Sequence, residues 1–257
     1  MAMTDPQRVA IVTGTSAGLG EAVAQQLLER DWRVVGIARR PSPIAHERYR
    51  HIACDLATVA TDPASLELQL GEHLRGVGTD RFGLVNNAAA PDGLMPIAKL
   101  DPRAVARVYA VNVVAPMWLM GYAVRVAPSS AALRIVNVSS GAATSAFAGL
   151  ATYGGSKAAL RMGGMALARE WDAPTSSAPA PYDAAILSYE PGVVETDMQR
   201  YARSRSPEEF PWVGMFLDFA ERGVGVTPEW PAREIVHFLE SDHQPPFAER
   251  RLRPSTT

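Results

Sequence analysis

Cysteine is almost missing from this chain: Cys54 is the single one in 257 residues. An internal disulfide is therefore excluded, and a lone thiol suits a reducing compartment. Long apolar runs are missing too. No stretch of eighteen apolar residues occurs, and the N-terminal "MAMTDPQRVAIVTG" has no apolar segment ahead of a cleavage site. Both absences predict a soluble, cytoplasmic protein. Neither sign of charge dominates, with 25 Lys and Arg against 27 Asp and Glu, so a nucleic acid or other polyanion is not an expected partner. Internal repeats are absent, and the one biased segment, "DAPTSSAPAP" (172–181), reads as an exposed loop between a helix and a strand. What the chain does have is 47% hydrophobic residues, enough for one large core, and a length that suits a single α/β domain over 1–257.

Short apolar β-rich runs alternate with longer helical stretches. "RVAIVTG" (8–14), "RVVGIAR" (33–39), "HIACDL" (51–56), "FGLVNNA" (82–88), "LRIVNVSS" (133–140) and "YDAAILSYEPG" (182–192) read as strands running into loops. Near-continuous hydrophobicity, without alternation, is what a parallel sheet covered on both faces requires. Asp62-Pro63 and Asp101-Pro102 each offer an N-cap followed by proline at the first helical position. The order predicts a doubly wound, three-layer αβα fold of Rossmann type, which binds ligands at the carboxyl ends of its strands.

After the first strand comes "TGTSAGLGEA", with Gly14, Gly18 and Gly20 and a helix expected from about Leu19. Amides at a helix N-terminus favour phosphate, and glycines let a pyrophosphate approach closely, so this is read as a dinucleotide loop. A tight strand-to-helix turn would show the same glycines. Further on, "TYGGSKAAL" sets Tyr153 and Lys157 four positions apart. On a helix they share a face, roughly 6 Å apart along the axis. Tyr-x-x-x-Lys is also an ordinary exposed pair. If the two are in contact, the ammonium is expected to lower the phenol pKa from about 10 and make a proton donor usable near neutral pH. Asn112 lies in the apolar helical stretch "RVYAVNVVAPMWLMGYA", where a buried amide satisfied locally is the plain reading. Pro116 adds a second one, because it has no N–H to offer the Asn112 carbonyl.

Six segments, TGxxxGxG at 13–20, "NNAA" at 86–89, Asn112, "VSS" at 138–140, Tyr153-x-x-x-Lys157 and "PGVVET" at 191–196, stand in the order and spacing of the short-chain dehydrogenase/reductase family. The chain resembles that family over most of its length. "SYEPGVVETDMQRYA" is similar to its sepiapterin reductase and bacterial benzil reductase branch. Two departures are visible: Ala89 stands where the family usually has glycine, and "FAERRLRPSTT" lacks the common final strand pattern.

The resemblance implies a role for each group. Tyr153 exchanges a proton with the substrate oxygen, Lys157 lowers its pKa and holds the nicotinamide ribose, and Ser140 binds the substrate carbonyl with Ser139 as its structural neighbour. The Asn112 carbonyl holds a water of a proton relay. Asp55 and Leu56 flank the adenine, Asn86 and Ala88 the ribose, and Pro191, Gly192, Val194 and Thr196 surround the nicotinamide, the last two at its carboxamide. At the end of the second strand, "GIARR" places Ala38 where an NAD site usually has an acid, followed by Arg39 and Arg40, which argues for NADP(H). Arg39 is the first choice for the 2′-phosphate, with Ser16 as a second contact. No metal is called for.

A lid is expected at about 194–226, with Met198, Tyr201, Phe210, Trp212, Met215, Phe216 and Phe219. If these face the cleft they suit a bulky, flat or aromatic carbonyl compound or diketone; an amphipathic helix packing on its own domain would look similar. Glu249 is the nearest C-terminal acid to the one that anchors pterin in sepiapterin reductase, and its alignment is poor. The reading is an NADPH-dependent reductase of a small-molecule ketone or aldehyde. A non-catalytic dinucleotide sensor or scaffold, and an isomerase or dehydratase of the same fold, remain as alternatives. Helices expected at 102–127 and 154–171 carry surplus apolar surface, which predicts a homodimer or homotetramer with no membrane partner.

Overall fold

The computed structural model describes residues 8–74, 78–171 and 183–252; the segment 172–181 singled out above lies outside them. Seven strands form one parallel sheet: β1 Arg8–Thr13, β2 Arg33–Ala38, β3 Tyr49–Ala53, β4 Arg81–Asn86, β5 Ala132–Val138, β6 Asp183–Glu190 and β7 Phe247–Arg251. Their order is β3-β2-β1-β4-β5-β6-β7. The order reverses between β1 and β4, and there the loops after two neighbouring strands diverge to opposite faces and leave a crevice.

Two apolar cores flank the sheet. On one face, Leu66 and Leu70 of α2 (Pro63–Leu74), Val108 of α3 (Pro102–Tyr109), Leu119 and Met120 of α4 (Ala115–Val126) and Leu160 of α5 (Ala151–Trp171) meet Ile11, Ile37, Leu84 and Ile135. On the other, α1 (Gly18–Leu28) and α8 (Glu229–Glu240) pack Val23, Leu27, Ile235 and Phe238 against Val12, Val34, Val85 and Leu187. Each central strand is thus buried on both faces, as its unalternating composition requires. The helix starts at 63 and 102 are capped as anticipated: Asp62 accepts from Ser65 N–H at 3.2 Å and Asp101 from Arg103 N–H at 3.0 Å.

Between α3 and α4 the helix widens into a π turn, Ala110–Val114, where Ala115 N–H reaches back to the Ala110 carbonyl. Pro116 is the cause: it cannot donate to Asn112, and the ladder resumes in a looser register. By length and apolar content the whole run Pro102–Val126 is sufficient to cross a bilayer. Val108, Val111, Ala115, Leu119, Met120 and Ala123 are instead buried in the first core.

Two sequence expectations change. The third strand ends at Ala53 rather than 56, because the Asp55 carboxylate accepts from Ala57 N–H at 3.1 Å and starts a short 3-10 turn, Leu56–Ala60. "FAERR" does form a final strand, β7, pairing with β6 from Ile186↔Phe247 to Glu190↔Arg251. It was illegible because an edge strand needs no continuous apolar run: Glu249, Arg250 and Arg251 are exposed.

Candidate active site

At the crevice the loops after β1 and β4 are stitched together. Thr13 Oγ1 accepts from the N–H groups of Asn87 and Ala88, both at 2.9 Å, and Asn87 Nδ2 donates to the Thr13 carbonyl at 2.9 Å. A Cβ on Gly14, which has φ +79°, would come within 2.7 Å of Asn87 Nδ2, and one on Gly20 within 2.4 Å of the Gly14 carbonyl. Both positions admit only glycine. The side chain of Asn86 turns under the sheet and donates to Asn137 Oδ1 at 2.9 Å, so the neighbouring Asn87 is the amide that braces the loop. Nothing in "NNAA" distinguishes them; the strand's alternation does.

Helix α1 begins at Gly18 with no side-chain cap from Ala17, which leaves its first amides available to an anion beside Ser16 and Leu19. Thr196 closes the far side, its Cγ2 lying 3.1 Å from where a Gly18 Cβ would be. Val194 is buried and bridges Val226; Pro191 is buried and Gly192 turns the chain at φ +71°. At the end of β2, Ala38 is buried while Arg39 and Arg40 are exposed. Arg40 Nη2 lies 3.1 Å from Asp197 Oδ2. Arg39 makes no hydrogen bond or ion pair with the described residues, and its charge acts on Asp55. Burial would raise the Asp55 carboxyl, but the Ala57 amide, the Arg107 guanidinium at 3.0 Å and the charge of Arg39 together hold it below the usual range. Leu56 beside it is buried. These groups fit a dinucleotide: the first amides of α1 have no side-chain cap and can take a diphosphate.

Tyr153 and Lys157 do share a face of α5. Lys157 is buried, with Nζ donating to the Val138 carbonyl at 2.7 Å and lying 5.7 Å from the centre of the Tyr153 ring. The Ser140 hydroxyl accepts from Ala142 N–H at 3.2 Å and lies near enough to the phenol to favour its ionised form, while Ser139 N–H is held by the Tyr189 carbonyl at 2.7 Å. The expected lowering of the phenol pKa by lysine is corrected here. Burial pushes Tyr153 up to about 12, with the nearby Ser140 hydroxyl acting against it, and burial lowers Lys157 to about 8. Desolvation therefore sets the direction of both shifts. At neutral pH the phenol is protonated and the lysine mostly charged.

Asn112 is buried, and its amide is satisfied on both sides: Oδ1 accepts from Ala90 N–H at 2.8 Å and Nδ2 donates to Ser156 Oγ at 3.0 Å. Ser156 in turn donates to the Tyr153 carbonyl at 2.7 Å. This chain ties the π turn, the loop after β4 and the first turn of α5 together. The sequence reading missed Ser156, which looks like filler between Tyr153 and Lys157.

The lid holds α6 (Asp197–Arg203) and α7 (Val213–Glu221). Phe210 and Val213 form a third apolar cluster with Leu94, Leu150 and Ala202, against which Phe147, Tyr153, Tyr201 and Phe216 pack. Phe210 meets Phe216 at 5.3 Å, Phe216 meets Phe219 at 6.3 Å, and Trp212 stands edge-on to Phe147 at 5.6 Å. The aromatics therefore pack on one another and border the phenol, combining the two alternatives left by the sequence. Met198 and Met215 are half-buried. Glu249 sits on β7 in a two-pronged bond with Arg161 at 2.6 and 2.7 Å; its carboxylate is engaged.

Comparison with known proteins agrees with this geometry. The family model for short chain dehydrogenases matches residues 8–207. Among curated proteins, the benzil reductase ((S)-benzoin forming) of Bacillus cereus is 30% identical over 93% of this chain and 96% of its own. The sepiapterin reductase of Xenopus tropicalis is 28% identical over 90% and 91%. Among solved structures, the KRED1-Pglu enzyme superposes with a TM-score of 0.73 at 29% identity, covering 91% of this chain and 95% of that one. With an uncapped glycine-rich loop at the switch point, a serine on the phenol and a buried lysine beneath it, the chain belongs to the short-chain dehydrogenase/reductase family, in its benzil and sepiapterin reductase-like part.

Proposed function

We propose that the protein is an NADPH-dependent carbonyl reductase acting on a bulky, flat aromatic ketone or diketone. The observation that carries this is the buried Lys157 ammonium, held by the Val138 carbonyl 5.7 Å from the centre of the Tyr153 ring, with the Ser140 hydroxyl near the phenol and the aromatic cluster of the lid beside it. The bound dinucleotide would supply hydride to the carbonyl carbon. Ser140 and Tyr153 then hold the carbonyl oxygen, and Tyr153 gives it a proton. A phenol raised to about 12 is fully protonated at pH 7, as a donor for reduction must be. Lys157, still charged, stabilises the phenolate left behind and reaches the ribose.

In this reading the amides after Gly14, Gly18 and Gly20 take the diphosphate, Asp55 and Leu56 the adenine, the chain at Asn86 and Ala88 the ribose, and Val194 and Thr196 the carboxamide. Arg39, which has no ion pair with the described residues, takes the 2′-phosphate with Ser16. The benzil reductase relatives favour a diketone over a pterin, and so does the engagement of Glu249 by Arg161. Exposed Tyr109, Val114, Met117 and Met162, on the helix pair α3–α4 and α5, support assembly into a homodimer or tetramer, and the single thiol suits a cytoplasmic setting. The test is a panel of benzil, related diketones, aryl ketones and aldehydes with NADPH and with NADH, followed at the nicotinamide absorbance. Turnover of an aromatic diketone with NADPH is expected; no turnover of any carbonyl compound overturns the reading.

A further inference from the structure

We propose that Asp197 opposes 2′-phosphate binding by occupying Arg40, and so sets how sharply the protein separates phosphorylated from unphosphorylated dinucleotide. This rests on the NADP(H) reading above and goes beyond it. Two consecutive arginines stand in different states. Arg39 has no ion pair with the described residues, whereas Arg40 bonds Asp197, 157 positions away, at 3.1 Å. Asp197 is the first residue of α6, directly after the Thr196 that abuts Gly18. The pair therefore spans the mouth of the glycine loop, from the end of β2 to the start of the lid.

Behind it the charges alternate. Arg200 bonds Asp197 and approaches Glu195 at 3.8 Å, and Arg203 holds Glu195 at 2.6 Å. A phosphate dianion reaching Arg40 must share the guanidinium with a carboxylate and sit in that carboxylate's field. Arg40 and Asp197 are both more than half exposed, so the pair is weak, and its removal is expected to change affinity by roughly two- to fivefold. Linkage makes the effect reciprocal: a 2′-phosphate on Arg40 loosens the hold on α6 by the same factor.

The test measures calorimetric dissociation constants for adenosine 2′,5′-bisphosphate and for 5′-AMP in wild type, Asp197→Asn, Arg40→Ala and the double variant, at low and high salt. Asp197→Asn is expected to tighten the bisphosphate by roughly two- to fivefold at low salt, less at high salt, and to leave 5′-AMP unchanged. In the Arg40→Ala background the gain should vanish. No gain, loss of both ligands, or a gain that persists without Arg40 overturns the proposal. A wild type that binds the two ligands equally overturns the NADP(H) reading as well, whereas a wild type that prefers the bisphosphate but ignores Asp197→Asn overturns only this inference.

Discussion

The two ends of the sheet use charge in opposite ways. At the amino ends of the strands, arginines close on the C-terminus of α8. Arg81 donates to the Leu239 and Ser241 carbonyls and pairs with Asp242; Arg134, wholly buried, donates to the carbonyls of Ser241 and Asp183 and to the Asp183 carboxylate at 2.7 Å. Arg8, Arg30 and Trp32 converge on Glu240. Helix carbonyls and a cation satisfy each other there, as the helix dipole favours. At the carboxyl ends the corresponding groups have weak partners or none. α1 starts without a side-chain cap, α6 starts without one at Thr196, and Arg39 has no ion pair with the described residues. One end is electrostatically closed; the other leaves helix starts without side-chain caps and Arg39 without an ion pair among the described residues, beside an ammonium held only by a carbonyl.

If that division is right, substitutions at the two ends should fall into separate classes. The largest effect is expected at the open end. Tyr153→Phe removes the proton donor and should lower kcat by roughly 10²–10⁴-fold while leaving the urea midpoint and the dissociation constant for NADPH nearly unchanged. More than a tenth of the wild-type rate would contradict the assignment. At the closed end, Arg134→Met keeps the length but strands the Asp183 carboxylate and leaves the Ser241 carbonyl to Arg81 alone; because Asp183 keeps some solvent, the cost should fall near the lower limit for a broken buried pair, about 3 kcal/mol in urea unfolding, with kcat of the remaining folded protein within twofold.

A third substitution sharpens the contrast between paired and unpaired arginines. Arg39→Ala should cost NADPH roughly ten- to a hundredfold in kcat/KM, leave NADH nearly untouched and barely move stability. Equal loss with both cofactors would make Arg39 a structural residue. The smallest effect is a pH slope. Lys157 loses its proton near pH 8 folded and near 10.5 unfolded; in that window the unfolded chain binds more protons, so this lysine makes stability rise with pH, by up to about 1.4 kcal/mol per unit. Tyr153 contributes the opposite slope only above pH 10. Between pH 8 and 10, wild type should therefore gain stability relative to Lys157→Met; parallel curves would mean that the lysine is not depressed.

Much of the fold was legible because the strand interiors are mostly apolar without alternation and two helix starts carry Asp-Pro. The glycine loop and the Tyr153–Lys157 spacing were legible because they are local. What escaped depends on distant partners. β7 exists only because β6 offers an edge to it, and Ser156 matters only because Asn112, 44 positions earlier, reaches it. The phenol's pKa went the wrong way for the same reason: spacing reveals the lysine, whereas burial is a property of the assembled lid and sheet.

The π turn at Ala110–Val114 acts as a phase shifter. One residue more than an α-helical turn would hold rotates everything after it by about 100°, so two halves of one continuous helix face independently chosen directions. The turn itself aims Asn112 at the loop after β4 and at Ser156, and the helix beyond it aims Leu119 and Met120 at the sheet. A straight helix aligned for the core would point Asn112 elsewhere. Deleting Ala110 from the turn would leave every other side chain chemically intact and put one half out of phase with its target.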